Sequence, residues 1–526
     1  MLTCSVDLRS SGAGLWEWRG EGEGWGRGAD RVRPLDHPAL EARAVTDGSA
    51  TLLVVREKAA DRPSLLRSIS PARIDAAVYG RVLEECQEWP LQSVWIEAGP
   101  RGLRLQTGLG GVCPVYLACD DGRLTGSWQL MDLREHLSPE ALEEKEVMRL
   151  LTGHPRYGHD TLFTGVKRLS ERSTAYADAV GLRLVYPAAA EHAQPSELAE
   201  GTDERALVEA FEALTDHVHA KRPIMPERTA AQLSGGMDST NLAISLALAH
   251  PGTITSCALL IGGQAGPQQE ARRRAVIEST GFAADVTVPA ADHPALSPGG
   301  LRRARAEAIS PLDEPHLEAA DALAQALRAR DIHTVVAGFG GDEVARVRHP
   351  AGGPVLTPVV PTWCGERVRD LLGEVNTGIA PATVAPETAL IALEVATPLL
   401  ARRGLWALAP FTDPELVRFG QRLPVEWKAD KRLLHRRLAA RSLPEQVVNP
   451  PLRENFGHVM NTAVHANATG LLRGWGKELH LIEQGFIDAV QLAETVERAA
   501  ISPQEAAPYR TGLFLISAVE LALRAL

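Results

Sequence analysis

Apolar and polar positions change rhythm along the chain. Up to about residue 135, apolar residues fall in short runs interrupted by glycine and proline, which predicts strands at 51–55, 92–98 and 103–107. The run 115–119 followed by Asp120-Asp121-Gly122-Arg123-Leu124 reads as a hairpin, because Asp-Gly suits a tight turn. A helix is predicted over 139–151, then short strands ending at 182–186, then a linker rich in Pro, Ala and Glu at about 187–203. Beyond it the rhythm alternates: helix 203–220, strand 228–232, strand 254–260, helix 268–280, strand 284–288, helix 316–330 and strand 334–337. Such alternation predicts an α/β region with a doubly wound parallel sheet, in which ligands bind beyond the carboxyl ends of the strands. The last ~120 residues are mostly helical and close with a helix at 513–526. Two domains are expected, 1–190 and 203–526.

One predicted strand end carries distinctive chemistry. Strand 228–232 runs into Leu233-Ser234-Gly235-Gly236-Met237-Asp238-Ser239-Thr240 and then into a segment of helical character, 241–250. Strand, glycine turn and helix amino end in that order make an anion cradle, since glycine permits close backbone approach and first-turn N–H groups point at the ligand. Ser234, Ser239 and Thr240 add hydroxyl donors. Asp238 would repel a phosphate unless a metal ion stood between them, so the cradle reads as a magnesium–pyrophosphate site for ATP cut between its α- and β-phosphates. The string is neither a Walker A loop nor a Gly-x-Gly-x-x-Gly dinucleotide turn.

Composition narrows the classes. The chain has 526 residues, 45% hydrophobic and 23% charged, as expected of a soluble globular protein. A formal net charge of −11 gives no global field for nucleic acid, and the arginine clusters at 272–274 and 432–437 are flanked by acidic or apolar residues. Six scattered cysteines without a Cys-x-x-Cys pair argue against structural zinc and a disulfide framework. The amino terminus lacks a leader pattern and no apolar run is long enough to cross a membrane, so a cytoplasmic protein without membrane partners is expected.

A second strand, 334–337, ends in Gly338-Phe339-Gly340-Gly341-Asp342-Glu343. Two loops delivering Asp238 and Asp342 could grip one Mg²⁺ together with substrate phosphates. With these motifs the chain resembles the asparagine synthetase superfamily. Residues 234–239 look like its pyrophosphate loop and 338–343 like its second Gly-x-Gly-x-Asp-Glu loop. Pro410-Phe411-Thr412-Asp413, Leu423-Pro424, Lys431 to Leu434 and Leu443-Pro444 resemble its carboxyl-terminal active-site wall. Gly111 to Tyr116, Gly122 and Ser127 are similar to its amino-terminal Gly-x-x-Pro-Leu-Tyr hairpin.

The resemblance implies an amino-terminal glutaminase-type αβ/β sandwich joined to a synthetase domain that adenylates a carboxylate and lets an amine displace AMP. It implies ATP and Mg²⁺ as cofactors, Asp238 and Asp342 as metal ligands, and Leu233, Ser234, Gly235, Gly236, Ser239, Leu259, Gly338 and Gly340 around the nucleotide. Lys431 and Arg453 are the candidate cations for phosphoryl charge.

Departures shape the expected activity. A working glutaminase needs a cysteine at the mature amino terminus, whose amine is its base, whereas Leu2 stands second and Cys4 lies further in. A degenerate glutaminase domain on an intact nucleotide loop resembles β-lactam synthetases and lasso-peptide macrolactam synthetases, and residues 233–240, Asp313-Glu314-Pro315 and 519–526 look closest to the lasso group. This implies a small-molecule or peptide carboxylate substrate, with a companion protease or precursor-recognition protein as possible partner. Phe339 stands where the family carries an acidic residue or tyrosine, and Leu452 where it carries a lysine. His435, Glu454 and His458 lie in the same segment as that missing lysine. Ligation with free ammonia and a nucleotide-binding scaffold are the alternatives; adenylation of RNA is disfavoured by the acidic balance.

Overall fold

In the computed structural model, the described residues are 1–9, 14–60, 62–189, 203–304, 310, 312–344, 358–381, 383–441 and 443–526. Most of the expected linker lies outside them.

The amino-terminal region contains two seven-stranded sheets. In one, Leu2–Asp7 runs antiparallel between Asp30–Pro34 and Arg123–Ser127, and the hairpin partner Tyr116–Asp120 follows. In the other, Thr51–Glu57 and Ser93–Gly99 are central. Side chains alternate across each strand, so one face can meet the other sheet. Leu2, Cys4, Val6 and Leu117 from the first sheet share a core with Leu53, Val55, Val94 and Ile96 from the second. On the second sheet's other face, Leu52, Val54 and Trp95 pack with Tyr79, Val82 and Cys86 of the helix Ala76–Gln87. On the first sheet's other face, Tyr116 and Ala118 join a core built largely by carboxyl-terminal helices.

That helix at Ala76–Gln87 lies in a stretch read as β-rich; Asp75 starts it by accepting from Val78 N. The helix expected over 139–151 is shorter, Glu144–Leu151. Residues 141–143 instead pair with 162–164, through Glu143 N to Leu162 O at 2.9 Å and Thr164 N to Ala141 O at 3.0 Å. Cross-chain bonds use the backbone groups that an earlier helix start would need.

The later region is organised around five parallel strands: β1 (Thr229–Gln232), β2 (Thr255–Leu260), β3 (Ala284–Pro289), β4 (Thr334–Val336) and β5 (Trp406–Leu408). Their order is β3-β2-β1-β4-β5, every neighbouring pair parallel. Strand order reverses between β1 and β4, and a crevice opens at such a switch point beyond the carboxyl ends. Helices α1 (Met237–Ala249), α2 (Gly266–Thr280), α3 (Leu317–Arg328), α4 (Glu387–Arg402) and α5 (Arg432–Ala440) surround the sheet or flank that crevice. β5 was not anticipated, because it is a three-residue strand inside a helix-rich tail.

The sandwich and the parallel sheet are fastened through Glu57, which is buried. It accepts from Trp406 Nε1 at 2.7 Å and from Arg222 Nη2 at 3.0 Å. Among the described residues no helix is long and apolar enough to cross a membrane.

Candidate functional site

Both expected glycine loops leave adjacent strands at the switch point. The first continues β1, with Leu233 N bonded to Cys257 O at 2.8 Å. Gly235 then takes φ +91°, a left-handed turn that suits glycine, and α1 begins at Met237 with no side chain capping its amino end. The hydroxyls of Ser234 and Ser239 face each other at 2.8 Å across the turn. Gln269 of α2 braces the site by donating to Ser234 O at 2.7 Å and Leu259 O at 3.0 Å, while its amide oxygen accepts from Ile261 N. Arg273, paired with Asp285, donates to Leu233 O.

The second loop packs against the first. A Cβ on Gly338 would stand 2.9 Å from Ser239 N, and one on Gly341 would stand 2.5 Å from Asp238 Cβ and Cγ. Gly340 turns through φ +92° beneath Phe411. Only glycine lets the two backbones approach this closely.

Asp238 and Asp342 converge on a single cation. Lys431 Nζ lies 2.5 Å from Asp238 Oδ2 and 2.6 Å from Asp342 Oδ1. Burial opposes the lysine's charge, but the carboxylates outweigh it and hold Lys431 above its usual range. Burial pushes the Asp238 carboxyl upward against the pull of Lys431. Asp238 Oδ1 is buried without a hydrogen-bond partner among the described residues, a spare hard-oxygen acceptor. Two convergent carboxylates with an unused oxygen fit a magnesium ion that draws its remaining ligands from phosphates and water.

Other expected residues fall in different places. Leu233 is fully buried in the core, so its side chain supplies packing and no open lining. Leu259, half-buried, ends β2 near Gln269. Arg453 is exposed and no ion pair joins it to the carboxylate group among the described residues. Phe339 is half-buried and packs against the core. His435 is occupied structurally, Nδ1 lying 2.9 Å from Val448 O.

Glu454, in the segment of the missing lysine, turns inward towards the first loop. Its side chain is 8% exposed, held through Oε1 by Arg272 at 2.9 Å and Gln268 at 3.0 Å. Its Oε2 is buried without a partner among the described residues and would lie 2.6 Å from a Cβ on Gly235. A third glycine turn, Gly262-Gly263 with φ of +61° and +59°, follows β2, and His458 lies against Gly263. The glycine pair directly after a predicted strand was the available signal.

No curated protein matches the chain. The family model for asparagine synthase matches residues 391–523, which include β5 and Lys431 and begin beyond both aspartate loops. That match relates the carboxyl-terminal part of the chain to the asparagine synthetase superfamily.

Proposed function

We propose that the protein is an AMP- and pyrophosphate-forming carboxylate–amine ligase that closes an amide or macrolactam, with peptide natural-product cyclisation of the lasso type as its setting. The observation that carries this reading is the meeting of Asp238 and Asp342 at one cation beyond the strand-order reversal. In this reading, first-turn N–H groups of α1 and the Ser234 and Ser239 hydroxyls bind the phosphates, and Lys431 faces the charge that develops as pyrophosphate leaves. Magnesium, when bound, neutralises that pyrophosphate. The substrate carboxylate attacks the α-phosphorus, and an amine then displaces AMP from the resulting acyl adenylate.

The amine is taken from the substrate itself and not from glutamine. Cys4 supports this, being a buried strand residue whose thiol is pushed by burial up to about 12, far from a nucleophile's range. A companion protease and a precursor-recognition protein would serve a peptide substrate.

The test is carboxylate-dependent ATP–pyrophosphate exchange with magnesium, over candidate acids and precursor peptides. Asp238→Asn should reduce exchange by about 10²–10³ while leaving the circular dichroism spectrum unchanged. Undiminished exchange in that variant removes the assignment. Nucleotide binding without exchange for any acid would favour a scaffold, the reading that Phe339 motivates by packing where a base is expected.

A further inference from the structure

A cavity of about 490 Å³ lies between the sandwich and helices α3 and α4, and none of its walls comes from the two aspartate loops. Cavities that take ligands typically run from about 300 to 1,000 Å³. One wall is a single face of α4, since Glu394, Val395, Pro398, Leu399 and Arg402 recur at the spacing of one helical stripe. The sandwich supplies the facing wall through Tyr116, Gln129, Leu130 and Met131. Tyr116 reaches across and donates to Glu394 Oε1 at 2.7 Å, which joins the two walls. Leu312 and Asp313 close a third side, so the Asp313-Glu314-Pro315 string, which has no part in the nucleotide site, begins at this cavity.

The lining mixes donors, acceptors and apolar surface. Arg402 pairs with Asp313 at 2.9 Å and Arg403 with Asp321 at 2.7 Å. Both carboxylates are buried while both arginines stay partly exposed, so the walls present guanidinium edges. Acceptors stand nearby. Pro398 has no N–H for the Glu394 carbonyl one turn back, and Gln129 and Asp132 add side-chain oxygens. Leu130, Leu312, Val395 and Leu399 cover the space between. A phosphate would need donors alone, and an acyl chain apolar walls alone. Donors and acceptors set among apolar patches match a peptide, whose backbone offers N–H and C=O groups between its side chains.

We propose that this cavity holds the stretch of a peptide substrate that lies about three to six residues from its reacting carboxylate. This rests on the peptide-ligase reading given above, to which it adds a second subsite. Distance supports it. Thr388, in the first turn of α4, donates to Glu343 beside Asp342 and ties that end of the helix to the second aspartate loop. From there Glu394 lies about 9 Å and Arg402 about 21 Å along the helix, at about 1.5 Å per residue. An extended peptide spans that range in about three to six residues at about 3.3 Å each. The cavity thus receives side chains that neither react nor touch ATP, and it selects the acyl partner by sequence remote from the new bond.

The experiment mixes the full-length protein with an equimolar pool of randomised octapeptides, with and without saturating Mg·ATP. Peptides retained after rapid gel filtration are measured by mass spectrometry. Val395→Trp and Met131→Trp fill the cavity from opposite walls at half-buried positions, and circular dichroism with thermal melts reports their folding. Wild type should retain peptides whether or not Mg·ATP is present, and each folded variant should retain about tenfold less. The same peptides carrying a central benzoylphenylalanine map the contact in wild type, where cross-links should fall within 129–134 and 394–403. The proposal is overturned if wild type retains no peptide, if folded variants retain as much as wild type, or if the cross-links fall elsewhere. Binding of laurate or inorganic phosphate there in place of peptides overturns it as well. Failure of the ligase reading looks different: the retained peptides would then support no ATP–pyrophosphate exchange, while their dependence on Val395 and Met131 would stand.

Discussion

Gly341 lies so close against Asp238 that a side-chain carbon at 341 would stand 2.5 Å from both Cβ and Cγ of the aspartate. This contact sets the distance between the two carboxylate loops, because Asp342 follows directly. Gly341 does not occupy the left-handed region, so the requirement for glycine here is steric alone. Gly341→Ala should force the loops apart at a cost of about 1–3 kcal/mol, typical of an overpacked site. Affinity for Mg·ATP should fall by about tenfold for each 1.4 kcal/mol that falls on the bound geometry. Gly266→Ala, at the start of α2 with nothing within 4 Å of its hypothetical Cβ, is the matched control and should leave both quantities unchanged. Calorimetric titration and thermal melts check both variants, and equal behaviour would show that the loops are not held by this contact.

Much of this arrangement was legible in the sequence, for identifiable physical reasons. Glycine followed by aspartate after a β-branched or small-residue strand is a local signature, so Gly235, Asp238, Gly340 and Asp342 were found without coordinates. Four of the five parallel strands were legible because each lies between helical segments. β5 was hidden, because five consecutive apolar residues, 405–409, read equally as buried helix or buried strand. Lys431 was singled out by motif, but its seat between the aspartates follows from left-handed backbone at 430 and 431, which residues with side chains do not announce. The burial of Glu454 was not legible, because it depends on Arg272 and Gln268 of α2, partners remote in sequence. Of the adjacent charged residues Arg453 and Glu454, packing turns the acidic one inward.

The Arg272–Glu454 pair gives a second prediction. Arg272 is 4% and Glu454 8% exposed, so neither charge is served by water when its partner is removed. Breaking a buried pair from one side typically costs about 3–5 kcal/mol, more than the pair itself contributes. Arg272→Met should therefore destabilise strongly, also losing its donation to Val447 O at 2.7 Å. Adding Glu454→Leu should recover part of the loss, since no unpaired charge then remains. Urea unfolding of the two single variants and the double variant measures this, and strictly additive losses would mean that the two groups do not act as a pair.

Glu57 gives a third. It is 1% exposed and binds Trp406 of β5 and Arg222 together, joining the sandwich to the parallel sheet. Glu57→Gln keeps an acceptor for the indole but deprives Arg222 of its counter-charge, whereas Glu57→Leu leaves both donors unserved. Stability should fall in the order wild type, Gln, Leu, with the leucine variant down by about 3–5 kcal/mol. Melting temperatures read by calorimetry give the order, and a leucine variant as stable as wild type would dismiss the fastening role.

Buried histidines set the acid limit of the fold. Burial lowers His219 to about 3, with Arg222 and Arg437 adding repulsion, and its Nε2 has no hydrogen-bond partner among the described residues. Burial likewise lowers His316 to about 4, with Arg302 contributing, as it packs against Phe456. In the unfolded chain each titrates near about 6.5. Below that pH the unfolded state takes up protons that the folded state refuses, so stability rises with pH through this window and is lost on acidification. A single histidine of this kind costs up to about 1.4 kcal/mol per pH unit, or about 2 kcal/mol by pH 5. Above about pH 7.5 neither state is protonated at these sites, and their contribution to the slope vanishes. Carboxylates titrate in the same experiment, so the informative quantity is the difference between wild type and His219→Leu. At pH 8 the variant's unfolding free energy reports only the exchange of imidazole for leucine in the core. From pH 8 to 5 wild type should lose about 2 kcal/mol more than the variant, so the difference between their unfolding free energies should shift by that amount in the variant's favour. Parallel pH dependence of the two proteins would show that His219 is protonated in the folded state and that its burial has no acid penalty.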